Sequence, residues 1–248
     1  MSRWKAAAIH LTISATIGLV VGALLFGVWY PPPYFHAAGA DVLVLLLVSV
    51  DLTLGPLLTL VVFKSGKRGL KFDLAVIAIA QAIALVYGMS VVLKSRPVFL
   101  LAVIDRFELI AASDIAPADL AEGSAPEFRS LSWTGPRLAA AEKPKDWHER
   151  NKILFGKTGG KDIDVLPKYY VDYASAAPDL LKRAKPLDAL PLRNDEAREL
   201  LATAIRKTGE PADHLVFVPI AARKGALTML LDRNNGRPLR AVPINPWE

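Results

Sequence analysis

Gly156-Lys157-Thr158 carries the lysine and hydroxyl that a phosphate-cradling loop uses to meet phosphate and magnesium. That loop also needs a glycine five residues ahead of its Gly-Lys pair, and position 151 is Asn151. Lys157-Thr158-Gly159 and Lys207-Thr208-Gly209 both spell the KTG of penicillin-binding enzymes. The S-x-x-K that must supply their nucleophile occurs only as Ser2–Lys5, ahead of the first apolar run. Of His10, His36, His148 and His214, none has a second ligand at metal-binding spacing. Asp146, His148 and Glu149, beside Trp147, read as a solvated helix start, not as an acid–base pair. The chain is therefore read as a non-enzyme with no metal and no cofactor. It has no cysteine, which excludes disulfides and thiol chemistry.

The remaining chemistry lies in apolar sequence. Residues 1–93 hold nine charged side chains and residues 94–248 hold 45, so a membrane portion precedes a polar one. Three runs, 6–29, 42–63 and 72–93, reach the roughly 20 residues that cross a bilayer. Soluble helices seldom stay apolar on every face. The first run is about twice the length of a signal-peptide core and reads as an uncleaved anchor.

Orientation follows from the basic residues beside the runs. Arg3 and Lys5 precede the first; Lys64, Lys67, Arg68 and Lys71 join the second to the third; residues 30–41 contain no Lys or Arg. The amino terminus and the 64–71 loop are thus expected in the cytoplasm, with the domain 95–248 across the membrane. Lys94 and Arg96 run mildly against this rule. Trp29, Tyr30 and Tyr34 are expected to form an outer interfacial belt. The net charge of +6 is no nucleic-acid signal, because half of it comes from the membrane part and the rest is interspersed.

A mid-span carboxylate is costly, roughly 2.5–3.5 kcal/mol on insertion scales, so Asp51 must point into protein or be protonated. Pro56 has no N–H, so Gly55-Pro56 frees a carbonyl one turn earlier and is expected to kink the second span near residue 52. Gly18 and Gly22 stand at the spacing that lets helix backbones approach closely. Ser14, Thr16, Ser49, Thr53 and Gln81 add intramembrane polar groups. Two readings stay open: these groups pack the three helices on one another, with Asp51 bonded to a Ser, Thr or Gln, or they form a groove for another protein's transmembrane helix. The candidate packing or contact residues are Gly18, Gly22, Asp51, Gly55, Pro56 and Thr59.

After the third span, residues 97–112 read as one long strand. Helices are expected around 147–155 and 178–184, and most clearly over "NDEARELLATAIRKTG", capped by Asn194 or Asp195 and stopped at Gly209. The last 35 residues read as a three-stranded meander with a hairpin turn at Asn235-Gly236. The fold class is three transmembrane helices (1–94) followed by a small extracytoplasmic α+β domain (95–248) with an antiparallel sheet.

Four stretches, "VDLTLGPLLTLVVF", "RPVFLLAVIDRFELIAASDI", "WTGPRLAAAEKP" and "TMLLDRNNGRPLRAVPINPW", give the sequence its resemblance to the TfpX/TfpZ family of type IV pilin accessory proteins. Asp105, Arg106, Trp133 and Trp247 fall in these stretches and are taken as structural residues of the outer domain. The resemblance implies a bacterial inner-membrane protein that assists pilin stability and pilus assembly without being a pilus subunit. Its partners would be the major type IV pilin, through transmembrane helix and periplasmic head, other inner-membrane assembly proteins, and membrane lipid. The alternative is a membrane-anchored structural or sensor component that binds pilus machinery other than pilin.

Overall fold

The computed structural model describes residues 1–144, 146–154 and 161–247. Both the Gly156-Lys157-Thr158 motif and Lys157-Thr158-Gly159 lie outside them, as does Phe155 of the helix expected over 147–155. Three long apolar helices, Arg3–Trp29, Ala40–Val62 and Leu70–Ser95, are followed by a mixed sheet domain. We call the helices spans 1, 2 and 3.

Span 1 starts at Ser2, whose hydroxyl accepts from the Lys5 N–H. Span 2 lies between the other two. Its second half, Gly55–Val62, packs on span 1, and both of its halves pack on span 3. The kink expected near residue 52 takes the form of a π turn over Val50–Leu54, directly ahead of Gly55-Pro56. A wider turn is how a helix absorbs a position where the ordinary donor is missing.

The eight strands are β1 (Pro97–Val103), β2 (Arg106–Ala111), β3 (Arg137–Ala141), β4 (Tyr170–Val171), β5 (Lys185–Pro186), β6 (Leu215–Ala222), β7 (Gly225–Asp232) and β8 (Pro238–Val242). They run in the order β4-β3-β1-β2-β6-β7-β8, with β5 also on β6. Most pairs are antiparallel, but β1–β3 and β2–β6 are parallel, so the sheet is mixed and not wholly antiparallel as expected. The single long strand expected over 97–112 is in fact the β1–β2 hairpin. Ile104 turns the chain there with φ 57°, a left-handed conformation that a β-branched residue seldom adopts. Helix Asp195–Thr208 is capped by Asn194 and ends at Gly209, where φ is 76°.

Alternation along the strands splits the core in two. Phe99 and Leu101 face one side with Phe128 and Tyr170, and farther along the sheet Phe217 and Leu230 meet helix Asp195–Thr208. Leu100, Phe107, Val218 and Met229 face the other side, where they pack in one cluster with Leu25, Trp29, Tyr30 and Val92 of the spans. Trp29 and Tyr30 therefore do not form a lipid-facing belt. They are buried under the sheet, at 9% and 0% exposure.

That joint is polar as well as apolar. The last carbonyls of a helix have no intrahelical donors. At the end of span 3, Tyr30 Oη donates to Val92 O at 2.7 Å, Arg96 Nη1 to Leu93 O at 2.7 Å, and the Ser113 N–H to Lys94 O at 2.8 Å. Arg96, 5% exposed, also donates to Ser132 O and lies 4.7 Å from the Trp133 ring centroid. Lys224 N–H bonds Ala37 O, so the β6–β7 turn is tied to the loop between spans 1 and 2. Burial pushes the Tyr30 hydroxyl well above its ordinary range, against the opposing pull of Arg96, and so keeps it a donor. Removing that hydroxyl strands the Val92 carbonyl. Tyr30→Phe is expected to cost about 1–2 kcal/mol in reversible unfolding of the full chain in detergent.

Candidate functional site

The polar residues of the bundle meet where the three spans face one another. Thr59, 2% exposed, places its hydroxyl 2.6 Å from His10 Nδ1, and His10 Nε2 lies 2.6 Å from Gln81 Oε1. Gln81 Nε2 donates to the backbone carbonyl of Asp51 at 3.3 Å. That last bond fixes which end of the glutamine amide is nitrogen, and the neighbouring bonds follow. In a neutral imidazole Nε2–H donates to Gln81, Nδ1 accepts from the Thr59 hydroxyl, and the donors run in one direction from Thr59 through His10 and Gln81 to Asp51.

The Asp51 carbonyl needs this outside donor. On the five-residue pitch of the π turn its partner is the nitrogen of Pro56, which carries no hydrogen. Sequence reasoning expected the Asp51 side chain to bond a Ser, Thr or Gln. Gln81 does bond Asp51, but at the backbone. Among the described residues none is bonded to the Asp51 carboxyl, which faces two grooves.

The first groove, about 380 Å³, is walled by Ile9, Ile13 and Ile17 of span 1 and by Ala78, Ala82 and Leu85 of span 3, with Thr59 and Asp51 on its floor. The second, about 390 Å³, lies between Leu43, Leu47 and Val50 on one side and Ala84, Gly88 and Val91 on the other. Asp51 is at the bottom of both. Counting back from Lys64 at 1.5 Å per residue puts Asp51 about 19 Å in, near mid-bilayer, and Thr59 about 8 Å in.

The candidate glycines separate. Gly55 is pressed against Gln81, where a Cβ would overlap the side-chain amide. A Cβ at Gly18 or Gly22 would meet nothing within 4 Å among the described residues, so neither makes the close helix approach that Gly55 does. Thr12 and Thr16 bond carbonyls of their own helix. Pro56 opens the helical half Gly55–Val62. His10 is the residue that sequence reasoning missed, having weighed it only as a metal ligand. Its signal was a polar side chain in an otherwise apolar span.

In the sheet domain, Trp133 sits beside Arg96 at the joint, whereas Asp105, Arg106 and Trp247 gather at the far end of the β1–β2 hairpin. There Arg106 Nε pairs with Asp105 at 3.1 Å and its guanidinium lies 5.7 Å from the Trp247 ring. Glu108, Asp162 and Asp164 share this hollow. Burial first, then the facing Asp164 carboxylate, pushes the Glu108 carboxyl up; burial and Asp162 do the same to Asp164. At the described start of helix Trp147–Leu154, Asp146 accepts from the His148 and Glu149 N–H groups, which makes it a cap.

Two predictions follow from this geometry. Gly55→Ala displaces the Gln81 amide, so it and Gln81→Ala should each cost about 1 kcal/mol in detergent unfolding, the scale of membrane hydrogen bonds. The double variant should cost no more than either alone, because both remove the same bonds. A carboxyl raised in the folded state costs stability as pH climbs from its unfolded value through its folded one. Glu108→Gln should therefore raise the melting temperature at pH 7 and leave it unchanged below about pH 4, where the unfolded glutamate is itself protonated.

Residues 1–39 match the family described as "Fimbrial assembly protein FimB". Over 248 aligned residues the chain is 31% identical to the fimbrial assembly protein of serogroup I from Dichelobacter nodosus, covering 98% of this chain and 96% of that one. The serogroup E1 protein of the same organism is 30% identical over the same shares. The protein of serogroups C1 and C2 is 34% identical over 114 residues, 45% of this chain and 86% of that relative. No solved structure matches.

Proposed function

Because the chain belongs to the fimbrial assembly protein family and acts in type IV fimbrial assembly, we propose that it is a non-enzymatic, chaperone-like accessory protein dedicated to the pilin. In this reading it sits in the inner membrane with its amino terminus and 64–71 loop in the cytoplasm and its sheet domain in the periplasm. The bundle shelters the pilin's apolar helix before assembly, and the sheet domain contacts the pilin head. The resemblance to TfpX/TfpZ accessory proteins agrees with it.

The observation that carries this reading is the groove between spans 1 and 3. Its walls repeat every three or four residues on both helices, the ridge spacing that receives another helix. The joint supports the second half of the reading, since it fixes the sheet domain over the bundle as a client's head stands over its own helix. The distribution of basic residues supports the orientation.

Deleting the gene should lower the cellular pilin several-fold by immunoblot and abolish surface fimbriae. Normal pilin and normal fimbriation would overturn the reading. Alkaline phosphatase fused at the carboxyl terminus should be active and a fusion at Gly66 inactive; the reverse would overturn the orientation.

A further inference from the structure

We propose that Asp51 is the recognition point of the groove. Its carboxyl receives a hydrogen bond from a donating side chain carried at mid-bilayer by the guest helix. This inference rests on the groove reading above and adds what the guest must bring.

The cluster that surrounds Asp51 is closed. Thr59, His10 and Gln81 spend their side chains on one another and on the Asp51 backbone carbonyl. None of them is hydrogen-bonded to the carboxyl, and among the described residues no other side chain is, although His10 lies near enough to act on it electrostatically. Yet an ionised carboxyl left without a partner in hydrocarbon costs roughly 2.5–3.5 kcal/mol on insertion scales, and a protonated one still leaves its oxygens and its O–H unsatisfied, at about 1–3 kcal/mol. It opens onto both grooves. The missing partner is therefore one that arrives through a groove.

The chemistry of that partner is constrained. An acyl chain fills apolar space but has no donor, so lipid leaves the carboxyl unsatisfied. A helix terminus is excluded by depth, since Asp51 lies about 19 Å from the Lys64 end of its span. What fits is an apolar helix bearing one hydroxyl, amide or un-ionised carboxyl near its middle, with that side chain entering between Ile17 and Leu85. A basic side chain fits the charge but adds its own desolvation, so a neutral donor is the economical match.

The test uses the full chain with a photo-reactive residue at Ile13 or Ala82, produced together with the pilin it serves. Adducts should form on the pilin's apolar helix. Asp51→Leu should lower their yield at least tenfold, and Asp51→Asn, which still accepts, should hold it within twofold of the parent. Changing the donating side chain of the pilin helix to Leu should reproduce the loss with the chain itself unaltered, which removes misfolding of the Asp51 variant as the cause. Undiminished adducts in Asp51→Leu would overturn the role of Asp51 and leave the groove reading standing. Adducts with phospholipid alone, or none with pilin from either position, would overturn both.

Discussion

The three spans are held in register by a run of hydrogen bonds that no solvent can replace. In water an amide or hydroxyl released from a protein partner finds another at once. In hydrocarbon the released group pays its desolvation in full. Thr59 on span 2, His10 on span 1 and Gln81 on span 3 each find their partner on a different helix, and the run returns to span 2 at the Asp51 carbonyl. Every pair of spans is therefore tied by at least one of these bonds. Alignment of the bonds adds to their strength, since each donor polarises the next. The π turn, the proline and the glycine of span 2 are parts of the same device. Pro56 leaves the carbonyl orphaned, the π turn presents it, and Gly55 makes room for the amide that satisfies it.

The far end of the bundle is fixed by the same logic, applied to a helix terminus. Span 3 ends in carbonyls that would otherwise lack donors, and Tyr30, at the end of span 1, caps them together with Arg96 and Ser113 of the sheet domain. One residue, Arg96, separates the last turn from the first strand, so no flexible linker stands between membrane and sheet. This accounts for the charge that ran against the orientation rule. Arg96 is buried in the joint, on Trp133, and its contribution to topology is outweighed by what it holds together. The grooves and the sheet thus keep a fixed relation.

What was legible in the sequence is what local chemistry decides. The spans follow from length and hydropathy, helix Asp195–Thr208 from its cap and stop, and the terminal meander from alternation and the Asn-Gly turn. What escaped depends on partners distant in sequence. His10 and Gln81 are 71 residues apart, and no spacing announces that they bond. Trp29 and Tyr30 have the composition of a lipid interface, yet a sheet folded over them turns that interface into core. The β1–β2 turn carries no glycine or asparagine to announce it; Ile104 takes up the left-handed region there instead.

The glycines carry the same lesson into the site. Spacing marked Gly18 and Gly22 as a packing or contact face, and among the described residues a Cβ at either would meet nothing within 4 Å, while Gly55, noted for its place beside proline, makes the close contact with Gln81. A residue type licenses an approach; only the fold decides which helix makes it. The distribution of satisfaction has a functional meaning on the same grounds. A bundle whose sole task was to anchor the sheet would gain by turning Asp51 into leucine, because the backbone carbonyl is the group that Gln81 serves and the carboxyl contributes no bond to the described structure. Natural folds keep such a local conflict where function needs it. The polar run fixes the helices and the Asp51 carboxyl stands beside it without a hydrogen bond, so the stability of the bundle and the recognition proposed for its groove would reside in different atoms of neighbouring residues. On that proposal, selection could alter what the groove accepts without loosening the helices that form it.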